Sequence, residues 1–153
     1  LDGRAPTAAC AVDIQVDPAR RGHGLAGLAI GALRRATAAA GLSELVVPVR
    51  PPDKAAEPMT PIAEYVQRRG PDGLPADRWL RAHVRAGGRI ERIAPYAMTV
   101  VADLPTWRSW TGLRFDRDGP VVVPGGLVPV VADTTTGIGS YVEPNVWVCH
   151  RCR

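Results

Sequence analysis

Cysteine is sparse and odd in number, limited to Cys10, Cys149 and Cys152. Such a set cannot form the disulfide framework that staples a small secreted domain, so a reducing, cytoplasmic setting is expected. Lysine is scarcer still: of 19 basic residues only Lys54 is a lysine. With abundant Ala, Gly, Pro and Val, this is the residue usage of a GC-rich bacterial genome rather than arginine selected to grip DNA or RNA, and no nucleic-acid partner is expected. Aromatic residues make up 5% of the chain, too few for a stacking platform, so Trp107, Trp110 and Trp147 are expected in packing. No run approaches the roughly 18–20 apolar residues that a membrane span needs. Leu1-Asp2-Gly3-Arg4 has neither the basic nor the apolar region of an export signal, and no membrane contact is expected.

What is present fits one domain. The chain has 153 residues, 46% hydrophobic and 22% charged, which is ordinary globular composition. Its net charge of +4 favours an anionic ligand. Residues 1–8 read as a tail. Ala9 to Val16 alternates, Cys10, Val12, Ile14 and Val16 against Ala11, Asp13 and Gln15, which predicts a half-buried strand stopped by Asp17-Pro18. From Gly24 to Ala40, Leu25, Leu28, Ala29, Ala32, Leu33 and Ala36 recur at helical spacing, with Arg34, Arg35 and Thr37 on the other side and Gly41 as C-cap. Glu44 to Arg50 is a short β-branched run ended by prolines. Two strands joined by a packed helix are parallel with a right-handed crossover, an α/β start.

Beyond it, the Pro51–Pro61 stretch reads as a surface connector and Ile62 to Arg69 as a short helix. Asp77 is an N-cap candidate for a helix carrying Trp79, Leu80, His83 and Val84, closed by Gly87-Gly88. Arg89 to Ile93 and Ala97 to Val101 form one interrupted strand or two short ones, and Asp103-Leu104-Pro105 opens a brief helix through Trp110. Val121 to Val123, Leu127 to Ala132 and Tyr141 to Val148 are strand candidates in a β-rich remainder.

The informative segment lies between the first strand and helix, Asp17-Pro18-Ala19-Arg20-Arg21-Gly22-His23-Gly24-Leu25-Ala26-Gly27. A glycine-rich turn lets several backbone N–H groups converge, and the helix N-terminus adds partial positive charge, so the segment suits phosphate. Gly22-x-Gly24-x-x-Gly27 also matches the dinucleotide fingerprint, which leaves an NAD(P)-binding βαβ protein as a lesser alternative. Against it, five residues separate Val16 from Gly22, and Arg50 stands near where an acidic ribose ligand is needed.

The whole segment, Val16-Asp17-Pro18, then Arg21-x-x-Gly24-x-Ala26, then an Ala/Leu-rich helix, resembles the acyl-CoA-binding motif of the GNAT N-acetyltransferase superfamily, Gln/Arg-x-x-Gly-x-Gly/Ala. Trp79 to Gly88 resembles that family's late helix, with His83 where a Tyr usually stands. The resemblance covers residues 9–93 and implies an α/β (α+β) fold. That fold is a GNAT-like mixed sheet with a strand, phosphate loop, helix and strand as its acyl-CoA-binding core, and residues 94–153 as a β-rich extension of the same domain.

It further implies an acyl-CoA-dependent N-acyltransferase, with acetyl-CoA as co-substrate, a small-molecule amine as acceptor and no metal. The cofactor-binding residues it assigns are Ile14, Val16, Arg20, Arg21, Gly22, His23, Gly24, Leu25 and Ala26. His83 is the general-acid candidate, since an imidazole titrates near neutrality, and Asp13 is a weaker base candidate.

Departures from the family pattern leave alternatives open. The absent Tyr supports a catalytically inactive GNAT-like binding or scaffold module. The chain lacks a Met start and the family's first strands and helices, so the strand from Ala9 is expected to need a partner chain or an N-terminal half to cover its edge. Cys149-x-x-Cys152 has metal-ligand spacing but no second pair, and reads as a frayed terminal strand. Arg34-Arg35, Arg68-Arg69 and the Arg81, Arg85, Arg89 series read as solvated faces.

Overall fold

The structure, a computed structural model, describes Gly3 and residues 5–152; Leu1, Asp2 and Arg4 of the expected tail, and Arg153 of the C-terminal extension, lie outside the described residues. Six strands form one mixed sheet: β1 (Ala8–Cys10), β2 (Glu44–Val49), β3 (Arg89–Asp103), β4 (Gly119–Val121), β5 (Val130–Asp133) and β6 (Ile138–Arg151). The helices are α1 (Leu25–Ala39), α2 (Ile62–Tyr65), α3 (Arg78–Arg85) and α4 (Leu104–Thr111).

β1 and β2 are parallel, joined by α1, while every other pairing is antiparallel. β6 is the spine. One edge carries β3 along nearly its whole length; the other carries β2 at Val146–Arg151 and β5 at Ile138–Ser140. Among the described residues, 141–145 have no ladder partner on that second edge, which leaves a notch between β2 and β5.

Local signals place the helix ends. Asp77 caps α3 by accepting from the amides of Trp79 and Leu80 at 2.9 and 3.1 Å, and Asp103 caps α4 through Thr106 N at 2.7 Å. Gly24 begins α1 at φ 73°, a left-handed conformation natural to glycine.

Several expectations need correction. The first strand is Ala8–Cys10, not Ala9 to Val16: its last bond to β2 is Ala11 N to Val46 O, at 3.0 Å, and the chain then turns away. The alternation beyond that point is real but has no ladder to join. Ala11 is therefore the buried residue, and Val12 is 85% exposed. Ala8 belongs to the sheet rather than to a tail.

Helix α1 is rotated from the expected face, burying Ile30 and Thr37 while Leu28 faces outward. An alanine-rich helix has little polarity contrast to fix its rotation, and Thr37 is accommodated because its hydroxyl donates to Leu33 O at 2.8 Å. Arg34 is not solvated either; it donates to Ala86 O and Arg151 O.

The helix expected over Ile62 to Arg69 ends at Tyr65. Of the two alternatives after Gly88, the structure has the single interrupted strand, with register shifts at Ile90/Arg92 and Ala94/Met98. The later strands are also displaced in extent: β4 starts at Gly119, β5 at Val130, and β6 runs from Ile138 to Arg151. The C-terminal cysteines are not frayed: both are buried, and Cys152 N donates to Ser43 O at 2.8 Å. Trp110 is 60% exposed rather than packed inside.

Two apolar clusters hold the sheet. One, around Leu45, Val47, Leu80, Val146 and Val148, lies under α1 and α3. The other, around Leu104, Trp107, Phe115, Val130 and Tyr141, closes the region of α4, β4 and β5.

Candidate active site

The separation of β1 from β2 after Ala11 opens a cleft of about 1500 Å³. Val12 to Val16 form one wall and Val47 to Arg50 the other; Ala94 to Met98 line it at the irregular middle of β3. At one end lies the glycine turn. Asp17 starts it, accepting from Ala19 N through Oδ1 at 2.9 Å and from Arg20 N through its carbonyl at 2.8 Å. Gly22 and Gly24 follow at φ 83° and 73°, where a side chain would be strained.

The space over the turn is open. A Cβ built on Gly22 or Gly24 meets no atom within 4 Å, and the amides of Gly22, His23 and Gly24 have no hydrogen-bond acceptor among the described residues. The first amides of α1 likewise have no acceptor within the helix. Arg20 and Arg21 add charge and form no ion pair among the described residues. These groups fit a diphosphate.

Ile14, Val16, Arg20, Arg21, Gly22, Gly24, Leu25 and Ala26 all border this one cleft. His23 does not; its ring Nδ1 sits against the carbonyls of Arg20 and Arg21, at 3.2 and 3.0 Å. Asp13 borders the cleft as an exposed carboxylate that accepts from Gln15 Nε2 at 2.8 Å.

His83 also lines the cleft, from α3, but is 2% exposed. Its Nδ1 lies 2.9 Å from Nε2 of His150, and Trp79 packs on it at 5.9 Å between ring centroids. Burial, with His150 adding to it, pushes the His83 imidazole down to about 4. Burial and Arg34 push His150 down as well. A ring with this environment is neutral near pH 7, which does not suit the expected general acid.

Sequence reasoning missed the far end of the cleft. Arg50, at the end of β2, donates from Nε to Glu143 Oε1 at 2.8 Å and from Nη2 to Glu143 Oε2 at 2.9 Å. Glu143 is 1% exposed and also accepts from the Tyr141 hydroxyl. Desolvation works against the Arg50 charge, but Glu143 outweighs it and raises the guanidinium. Burial, reinforced by Glu143, raises the Tyr141 phenol. Asn145 and Trp147 complete this side, so Trp147 faces the cleft rather than serving only as packing. The available signal was Glu143 itself, the lone acid in the apolar run Tyr141 to Val148.

No family model matches the chain. It is 39% identical to the arginine N-acetyltransferase avaD of Aspergillus versicolor, across 95% of this chain and 56% of that protein. Among solved structures it is similar to the loading GNATL domain of CurA from Lyngbya majuscula, with a TM-score of 0.59 and 16% identity over 95% of this chain and 55% of that one. The chain thus spans about half the length of either relative. The likeness to avaD, with the shared fold and the motif Arg21-x-x-Gly24-x-Ala26 placed at the mouth of the cleft, shows that the chain belongs to the GNAT N-acetyltransferase superfamily.

Proposed function

We propose that the cleft takes an acyl-CoA, acetyl-CoA in the simplest case, and that the protein transfers the acyl group to a nitrogen of a small-molecule amine. One observation carries this reading: the phosphate-suited turn and the parted strands open onto a single continuous cleft. The thioester supplies an activated acyl carbon; a C–N bond forms, the C–S bond breaks, and one proton passes from nitrogen to sulfur overall.

The chain's own parts divide the work. The amides from Gly22 to Ala26 and the side chains of Arg20 and Arg21 hold the anionic end. The backbone from Val12 to Val16, having left β2, has edge groups available to an extended arm, and an N–H donor there polarises a carbonyl laid against it. His83, kept neutral by burial, is placed as a hydrogen-bonding wall residue that positions ligand rather than as a proton store. Asp13, exposed near the rim, is given no step. The name of the 39% identical relative points to arginine as the acceptor to try first.

Calorimetric titration of CoA into the chain and into an Arg21→Glu, Gly24→Asp double variant tests the reading. The unaltered chain is expected to bind CoA at least about tenfold more tightly, since the variant reverses one charge and places a side chain at a left-handed glycine. Equal weak heats from both proteins overturn it.

A further inference from the structure

Arg50 follows β2 directly and lines the cleft with a side chain that is 41% exposed, against 1% for its partner Glu143. Its guanidinium is held along one edge. Nε and Nη2 donate to the two carboxylate oxygens of Glu143 at 2.8 and 2.9 Å, and Nη2 also donates to Gly125 O at 2.8 Å. A guanidinium is a rigid planar fork of five N–H groups, so fixing the Nε–Nη2 edge fixes Nη1 on the side away from Glu143. Nη1 has no hydrogen-bond partner among the described residues. A charged donor is thus held in place on a cleft wall and left unused.

The charge balance around it is one anion short. From Glu143 the hydrogen bonds run through the Tyr141 hydroxyl to Leu127 N, and Leu127 O in turn accepts from Lys54 Nζ at 2.7 Å. Lys54 is fully buried, its other bond is to Pro58 O at 3.4 Å, and it forms no ion pair among the described residues. Glu57, the acid that acts on it, is paired with Arg68. Two cations therefore share the Glu143 carboxylate, whereas buried charge is ordinarily matched. An anion at Nη1 supplies the balance. The acyl donor's phosphates are already met at the glycine turn, so this donor falls to the acceptor, and a carboxylate is the planar anion that suits a guanidinium N–H.

We propose that Arg50 Nη1 receives a carboxylate of the acceptor, so that the acceptor is an amine that also carries a carboxylate, a member of the amino-acid class. This deepens the acyltransferase reading and rests on it for the word acceptor, but the contact itself is a binding property. Arg50 is the residue it adds to the site, with Glu143 positioning it.

The probes are L-arginine, L-lysine, L-leucine, L-phenylalanine and L-glutamate, each beside its α-carboxamide, titrated calorimetrically into the 153-residue chain in the presence of CoA. At least one acid is expected to bind about tenfold tighter than its amide, because the amide keeps an acceptor oxygen but loses the charge. The Arg50→Met, Glu143→Gln double variant removes one charge of each sign and leaves the net charge of the chain as it was. In it the preference for the acid is expected to vanish while CoA affinity stays unchanged. Should that variant fail to fold, Arg50→Lys keeps a cation for Glu143 without the fork and should reduce the preference; the acid and amide pairs on the unaltered chain decide without any variant.

Equal affinity within every pair, no binding of any acid, a preference that survives in the double variant, or a parallel loss of CoA there each overturns the proposal. Tighter binding of succinyl-CoA than of acetyl-CoA, lost in the same variant, assigns the carboxylate to the acyl group and overturns it too. An assay for free CoA thiol separates the two ideas. If an acid is preferred but no thiol is released from acetyl-CoA, the transferase reading fails and the carboxylate site stands; if thiol is released equally with acids and amides, the carboxylate site fails and the transferase reading stands.

Discussion

The apolar cluster beneath the cleft is aliphatic, built on Leu45, Val47, Val49, Leu80, Val146 and Val148, whereas the one around α4, β4 and β5 is centred on Trp107, Phe115 and Tyr141. Leu33 and Ala38 of α1 and Trp79 of α3 pack against the aliphatic cluster. The aromatic region instead fills its interior with a few large rings; Trp107 lies 6.1 Å from Phe115 between centroids and donates from Nε1 to Gly139 O at 2.9 Å.

The aromatic region reaches the cleft through a few polar contacts. Arg50 Nη2 donates to Gly125 O at 2.8 Å, Lys54 Nζ to Leu127 O at 2.7 Å, and Leu127 N to the Tyr141 hydroxyl at 3.0 Å. The two regions divide the labour: one lies beneath the cleft, and the other braces Arg50 and Glu143 beside it.

The largest test of that division is Trp107→Ala. Losing a buried indole is expected to cost about 3–5 kcal/mol in urea unfolding, yet CoA affinity measured on the folded fraction should stay unchanged. A matching fall in CoA affinity breaks the separation.

Acid sharpens the contrast from the other side. His83 is depressed from 6.5 to about 4 in the folded protein, so between those values the unfolded chain binds more protons. Stability is therefore complete above about pH 6.5 and falls as pH drops toward 4, by at most about 3 kcal/mol from this ring. Urea midpoints at pH 7.5, 6 and 5 should show the fall, and His83→Leu should make it shallower, with His150 supplying what remains. An unchanged slope in that variant removes His83 as the source of the acid sensitivity.

Asp77→Ala comes next. Oδ1 caps α3, and Oδ2 accepts from Asp53 N and the Tyr65 hydroxyl at 3.1 and 3.2 Å, so its loss should cost about 2 kcal/mol. Desolvation is the main reason the Asp77 carboxyl lies above the usual range, and the same desolvation raises the Tyr65 phenol.

The smallest effect belongs to Lys54→Met. The only lysine of the chain is fully buried and bonded to Leu127 O, with its ammonium lowered by desolvation. Losing its bonds to Leu127 O and Pro58 O, offset by no longer burying an ammonium, should cost about 1 kcal/mol. Hydrogen exchange should quicken around Lys54 and Leu127 before it does at Trp107; uniform quickening contradicts a local brace.

Much of the fold was legible because its signals are short-range. Asp77 before Trp79-Leu80, Gly41 after α1 and Asp103-Leu104-Pro105 each act within one helical turn, and each element starts or stops where they stand. The first strand overran for the same reason: alternation from Cys10 to Val16 is a local property, while pairing depends on where β2 runs. The glycine turn was readable as a phosphate-suited bend, but Arg50 and Glu143 meet across 93 positions of sequence. No periodicity in either segment reports the other.

By itself the sequence determined the order of elements, their caps and the left-handed turn at Gly22 and Gly24, because those depend on backbone preferences over a few residues. Tertiary structure alone decided that His83 is buried against His150, that the first strand leaves the sheet after Ala11, and that Glu143 and Asn145 face the same cleft as the turn. Burial, desolvation and long-range pairing are properties of the assembled sheet, so they arise only once β6 lies between β2 and β3.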